Sequence, residues 1–250
     1  MFARRFANGS IRTHHGSFLR SYSASASSSS GSSLQLYGFK MSQPVRAILM
    51  LLQNNNINYE FMVCDALKGD NHKPEFLKLN PAGLVPCIVD DGFVLGESCA
   101  ILQHLAETRQ LYDWYPQDAR LRAKTNFWLH WHHSNTRQST KGVLHWHLFS
   151  KLKGAEENLK KGKALFGRTL KFLEQQLGQK DGGFLVYNKP TIADLIILAE
   201  LDQQLPEAFN LISFEPYPNI SAWMKRVQSS VTSYDEIFQP VTEAAQAFKE

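Results

Sequence analysis

Residues 34–63 read LQLYGFKMSQPVRAILMLLQNNNINYEFMV, and this stretch decides the fold. Leu34 and Leu36 alternate with Gln35 and Tyr37 and stop at Gly38, the pattern of a short strand. Pro44 to Gln53 is strongly apolar, with its proline near the start, where a helix tolerates one. Asn54, Asn55 and Asn56 end that helix, and Tyr59 to Val63 forms a second strand. Working outward, a loop from Lys68 to Lys73 leads to a short helix opened by Pro74 and stopped at Asn80-Pro81. Cys87-Ile88-Val89 and Phe93-Val94-Leu95 flank Asp91-Gly92, a pair suited to a type I′ hairpin turn. Glu97 to Thr108 then carries Ile101, Leu102, Leu105 and Ala106 at helical spacing. The order strand–helix–strand–helix–strand–strand–helix over residues 34–110 describes a small α/β domain.

The character changes after a boundary at 110–116. Helical patterns follow around 118–149, 155–178, 191–205 and 218–232, with no strand signal, so 117–250 reads as an all-helical domain. Thr191 and Asp194 have capping-box spacing, which assigns them to structure rather than chemistry.

Composition narrows the function classes. With 43% hydrophobic and 20% charged residues, the 250-residue chain reads as a folded globular protein. Its longest apolar run, Ala47 to Leu52, falls far short of the ~18 residues that a membrane span needs. Cys64, Cys87 and Cys99 are too few and too scattered for a disulfide framework, which points to a reducing compartment. The net charge of +4 belongs to the first 33 residues, which hold Arg4, Arg5, Arg12 and Arg20 and no acid. The other basic residues balance the 23 acidic ones, so the pI gives no support to a nucleic-acid partner.

That leader is rich in serine, with eleven in 33 residues, and lacks the apolar core of a secretory signal. Phe2 and Phe6 beside Arg4 and Arg5 suit a short basic amphipathic helix, and Arg20 places a mitochondrial-type cleavage after Tyr22. A mitochondrial address is the expectation; a plastid address, or a cytoplasmic protein with a plain tail, are the alternatives.

Four segments carry a family resemblance. Tyr37 to Ala47, with Ser42-Gln43-Pro44-Val45-Arg46-Ala47 at its centre, resembles the first strand, loop and helix start of theta-class glutathione transferases. Asn80-Pro81 through Val85-Pro86, Glu97-Ser98-Cys99-Ala100-Ile101, and Asn188 to Asp194 resemble three further segments of that family, in family order and spacing. The likeness runs from Leu34 to the C-terminus. It implies a thioredoxin-like α/β domain that binds glutathione, an all-α domain that carries the electrophile pocket, and a homodimer.

The resemblance also implies roles for individual residues. Ser42 would donate a hydrogen bond to the glutathione thiolate; by position alone it reads first as an ordinary N-cap serine, and the flanking motifs favour the catalytic role. Pro86 would follow a cis bond that turns the backbone of Val85 toward the tripeptide; a plain trans proline at a strand start is the other reading. Glu97 and Ser98 at a helix start would hold the γ-glutamyl group, or simply cap the helix. Tyr37 is the competing hydroxyl. Phe39, Met41, Trp131, Asn135 and Arg137 are expected around the electrophile, the last three because Trp131 to Arg137 resembles a theta W-H-x-x-x-x-R pattern.

The chain departs from the family where the glycyl carboxylate is gripped. Asn71 stands at the expected histidine and Leu84 where some members carry lysine, which leaves His72 as the candidate clamp. His130 and His133 share a helix face but have no third ligand at metal-binding spacing, so no metal is expected. The implied activity is attack of a glutathione thiolate on small hydrophobic electrophiles, by conjugation or by displacement of halide or sulfate. A glutathione-dependent peroxidase acting on organic hydroperoxides and a non-catalytic glutathione-binding module are the alternatives. No Cys-x-x-Cys is present, which disfavours a disulfide oxidoreductase.

Overall fold

The structure, a computed structural model, describes residues 33–179 and 183–248. The leader helix near Phe2 and Phe6 and the cleavage after Tyr22 lie outside the described residues. The α/β part runs β1 (Leu34–Gly38), α1 (Gln43–Asn54), β2 (Glu60–Val63), α2 (Pro74–Leu79), β3 (Cys87–Asp90), β4 (Phe93–Gly96) and α3 (Ser98–Thr108). The strands form one sheet in the order β2-β1-β3-β4. β1 pairs parallel with β2 through the α1 crossover, then antiparallel with β3, which closes a hairpin onto β4. Asp91 and Gly92 both adopt positive φ, 50° and 84°, as a type I′ turn requires. This mixed sheet with its helices is the thioredoxin-like arrangement that the sequence led us to expect.

Helices make up the rest: α4 (Ala119–Ser134), α5 (Thr136–Leu148), α6 (Ala155–Gly178), α7 (Ile192–Leu201), α8 (Pro218–Ser229) and α9 (Tyr234–Ala247). Every residue of α7 is buried and α1 is buried from Pro44 to Leu52, the signature of helices covered on all sides. α1 packs against α7 and also touches α3 and α9, so the two halves share one core. Arg46, fully buried, ties that joint: its guanidinium donates to the carbonyls of Met41 (2.8 Å) and Ala199 (2.7 Å) and pairs with Asp202 at 2.7 Å. The capping box is formed. Asp194 accepts from Thr191 N and Oγ1, from Leu185 N and from Trp223 Nε1, which satisfies a buried carboxylate four times over.

Two helices differ from the sequence reading. The expected single helix over 118–149 breaks at Asn135, which has φ −117° and ψ −85°. The Asn135 amide caps the broken end by donating to Trp131 O at 2.9 Å. The second difference is α9, unforeseen because Pro240 stands inside it and reads as a helix stop. It survives because Tyr234, Ile237, Phe238, Val241 and Ala245 bury one face; packing outweighs the lost hydrogen bond. α5 and α6 meet so closely at Gly142 and Gly162 that a Cβ on Gly162 would run into the Gly142 carbonyl. That contact fixes the position of α5, one wall of the cavity described next.

Candidate active site

Ser42 stands at the N-cap of α1, 7% exposed, yet its side chain makes no capping hydrogen bond. The hydroxyl is therefore uncommitted to the helix, and the helix N-terminus around it is positive. Ser42 lines a cavity of about 300 Å³ with Phe39 and Met41 from its own loop. A second cavity, about 130 Å³, is lined by Pro86, Glu97 and Ser98. Leu84, Val85 and Arg137 border both, so they form a seam between the two.

The Val85–Pro86 bond is cis. Neither the N–H nor the C=O of Val85 finds a hydrogen-bond partner among the described residues, and Val85 lines that seam. An extended peptide lying there could take both, as an added strand does. Glu97 has φ 64° at the N-cap of α3, without a side-chain cap bond, and Ser98 is buried just behind it. A positive φ at a non-glycine residue costs of order 1–3 kcal/mol, and such strain gathers at ligand sites. Unpaired helix N–H groups beside an exposed carboxylate suit a zwitterionic amino-acid end.

Tyr37, the competing hydroxyl, lies outside both linings, donates to Gln35 Oε1 at 3.1 Å and packs on Phe76. All three thiols are buried and unpaired in disulfides. Burial pushes the thiols of Cys87 and Cys99 up to about 11 and about 12, so neither supplies a thiolate at neutral pH.

Three expected residues fall elsewhere. His72 is exposed and lines neither cavity, whereas Asn71 is buried and does; its amide donates to Gly83 O at 2.6 Å. The one-residue shift in the sequence thus places the asparagine, not the imidazole, against the cavity. Trp131 packs between Trp128 and Phe172, with ring centroids 5.2 and 5.4 Å away, and so faces α6. Asn135 is occupied as the cap between α4 and α5.

Arg137 does line the cavity, at the head of a stripe whose other members the sequence reading missed. Arg137, Lys141, Leu144, His145 and Leu148 recur at helical spacing on α5 and all line the larger cavity. The break at Asn135 aims that face. Arg137 is held by a side-chain network: Nη1 lies 3.1 Å from Gln43 Oε1 and 3.1 Å from Glu200 Oε1. Glu200 is fully buried on α7, and its other oxygen accepts from Thr140.

Next to this pair, His132 is 2% exposed, with Nδ1 2.9 Å from Thr136 Oγ1. Burial pushes its imidazole down to about 4, against the pull of Glu200. A histidine depressed in the folded state binds its proton only on unfolding, so stability falls as pH drops from 6.5 toward 4. We expect a loss of about 2 kcal/mol between pH 7 and pH 5 from this group, read as the shift in urea unfolding free energy. His132→Asn should flatten that slope; an unchanged slope would contradict the assignment. Cys99, His132 and His133 each bring one ligand-type atom within 4.8 Å of the others, whereas His130, paired with His133 in the sequence, is exposed and outside that group.

Comparison with known proteins follows the same lines as the geometry. The family description for the N-terminal domain of glutathione S-transferases matches residues 36–111, and that for their C-terminal domain matches 146–234. Mouse glutathione S-transferase theta-2 is 36% identical over 201 residues, covering 78% of this chain and 81% of its own. Human glutathione S-transferase theta-1 is 33% identical over 216 residues, covering 84% and 88%. Among solved structures, human glutathione transferase theta-2 in complex with glutathione superposes with a TM-score of 0.77 at 30% identity. That superposition covers 86% of this chain and 91% of the other.

Proposed function

The chain belongs to the glutathione S-transferase family with theta-class character, and on that premise we propose that it activates glutathione through Ser42 and transfers it to small apolar electrophiles. The observation that carries the reading is the buried Ser42 hydroxyl, left uncapped at a helix N-terminus and facing a cavity. Val85 would pair with the cysteinyl backbone, Glu97 would take the α-ammonium, and Ser98 with the first N–H groups of α3 would take the α-carboxylate. The thiol proton leaves to solvent. The sulfur then forms its bond to carbon as the bond to a leaving group breaks, or adds to the electrophile without one.

Magnitudes show how much Ser42 supplies. A thiol with a pKa near 8.5 is about 3% ionised at pH 7, and lowering it by ~2 units makes about three quarters thiolate. Nucleophilicity falls with a Brønsted slope of ~0.4–0.5, so the ~25-fold gain in thiolate shrinks to roughly threefold. Holding both reactants together in the cavity must therefore supply most of the rate.

The test is turnover of glutathione with an aryl halide, a benzylic halide, an arylmethyl sulfate and an organic hydroperoxide. Conjugation above the uncatalysed rate with at least one carbon electrophile is expected. Turnover of the hydroperoxide alone would mean a peroxidase instead, and binding without turnover would mean a carrier.

Two further expectations become proposals on the same premise. Pairing of two copies rests on the family, with Phe93 on the edge strand β4 and Phe127 on α4 as exposed apolar side chains available to it. Mitochondrial delivery rests on the arginine- and serine-rich, acid-free leader. Among the described residues no helix is long and apolar enough to cross a membrane.

A further inference from the structure

The larger cavity is apolar on most sides and basic along one. Arg137, Lys141 and His145 stand on successive turns of α5, and no carboxylate is among the described residues that line the cavity. The two cations are not equivalent. Arg137 is neutralised from behind by the buried carboxylate of Glu200, 3.1 Å away. Lys141, one turn on, is exposed and has neither ion pair nor hydrogen bond among the described residues, so its charge is uncompensated at the cavity edge. Leu144 and Leu148 continue the same face as apolar wall, with Met41 among the residues lining the rest of the cavity.

A neutral apolar molecule would gain from those walls and nothing from the lysine. An apolar molecule that ends in an anion would gain from both. We propose that the electrophile pocket selects apolar substrates bearing a carboxylate or comparable anionic group away from the reacting carbon, with Lys141 as the residue that sets this preference. The inference rests on the transferase reading for the identity of the pocket, but the preference itself is a property of binding.

The pair 4-phenylbutyrate and 4-phenylbutan-1-ol isolates the charge, because the two share an apolar body. Calorimetric titration of the full chain, with glutathione present, should show the acid binding about fivefold more tightly at low salt, the upper range for an exposed ion pair. The advantage should shrink as ionic strength rises and the Debye length falls below about 10 Å. In Lys141→Met the acid should drop to within about twofold of the alcohol while the alcohol is unchanged, since the substitution keeps the apolar stem. Equal binding of the two probes, failure of both to bind, or a preference that survives Lys141→Met overturns the proposal. Turnover plays no part in this readout: an inactive protein that still prefers the acid would refute the transferase reading alone.

Discussion

Ser42→Ala should lower kcat with glutathione about threefold at pH 7 while glutathione affinity stays within a few fold, the net of a ~25-fold loss of thiolate against the higher nucleophilicity of the thiolate that remains. The hydroxyl is buried at the cavity and unclaimed by the helix, so its removal disturbs neither cap nor core. The deficit should narrow above pH 8.5, where the free thiol ionises unaided. Initial rates from pH 6 to 9.5 on wild type, Ser42→Ala and Tyr37→Phe check this. Tyr37→Phe is expected to be near wild type, because its hydroxyl is directed to Gln35. Activity and binding lost together would assign Ser42 to structure.

The largest stability effect is expected at Arg46. Arg46→Met should cost about 3–5 kcal/mol, because it strands Asp202 without its partner in the core. Both side chains are at most 1% exposed, so water cannot replace the lost cation. Burial pushes the Asp202 carboxyl up to about 7, and Arg46 is the charge that holds it down. Without the arginine the acid keeps its proton at neutral pH, which sets the loss toward the lower end of that range. Two carbonyls, of Met41 and Ala199, also lose their donor. Urea unfolding measures the cost, and Arg46→Met with Asp202→Leu should recover much of it, as apolar replacement of a buried pair does. A loss under about 1 kcal/mol for Arg46→Met would show that the joint between the halves is held otherwise. The same contact anchors the loop that carries Ser42, since Arg46 holds the carbonyl of Met41, the residue before it.

What was legible in the sequence is what short local motifs determine. Ser42, the Val85–Pro86 pair and Glu97–Ser98 each sit just where a strand or a helix begins, where backbone geometry follows from a few neighbouring residues. The structure brings them to two cavities that share a seam. The α5 wall was hidden because its facing depends on the break at Asn135, and a continuous helix through 118–149 would rotate that stripe elsewhere. The signal was nevertheless present in the spacing of Arg137, Lys141, Leu144, His145 and Leu148. Trp131 read as a pocket residue because Trp131 to Arg137 resembles a theta W-H-x-x-x-x-R pattern, although it packs between Trp128 and Phe172 and half-buries itself against α6. Arg46 belongs to a recognisable motif, but its partner Asp202 lies 156 residues away, a contact that no local pattern reveals. α9 was obscured by Pro240, where a propensity rule gave way to tertiary packing.

The central claim is that this site ionises the thiol of bound glutathione through Ser42. Ultraviolet absorbance of the thiolate, followed against pH for glutathione bound to the full chain and to Ser42→Ala, tests it most directly. The account predicts ionisation about 2 pH units below the free thiol in the wild type, with most of that displacement gone in the variant. Ionisation at the free thiol's own pH in the wild type, or the same displacement in Ser42→Ala, would contradict it.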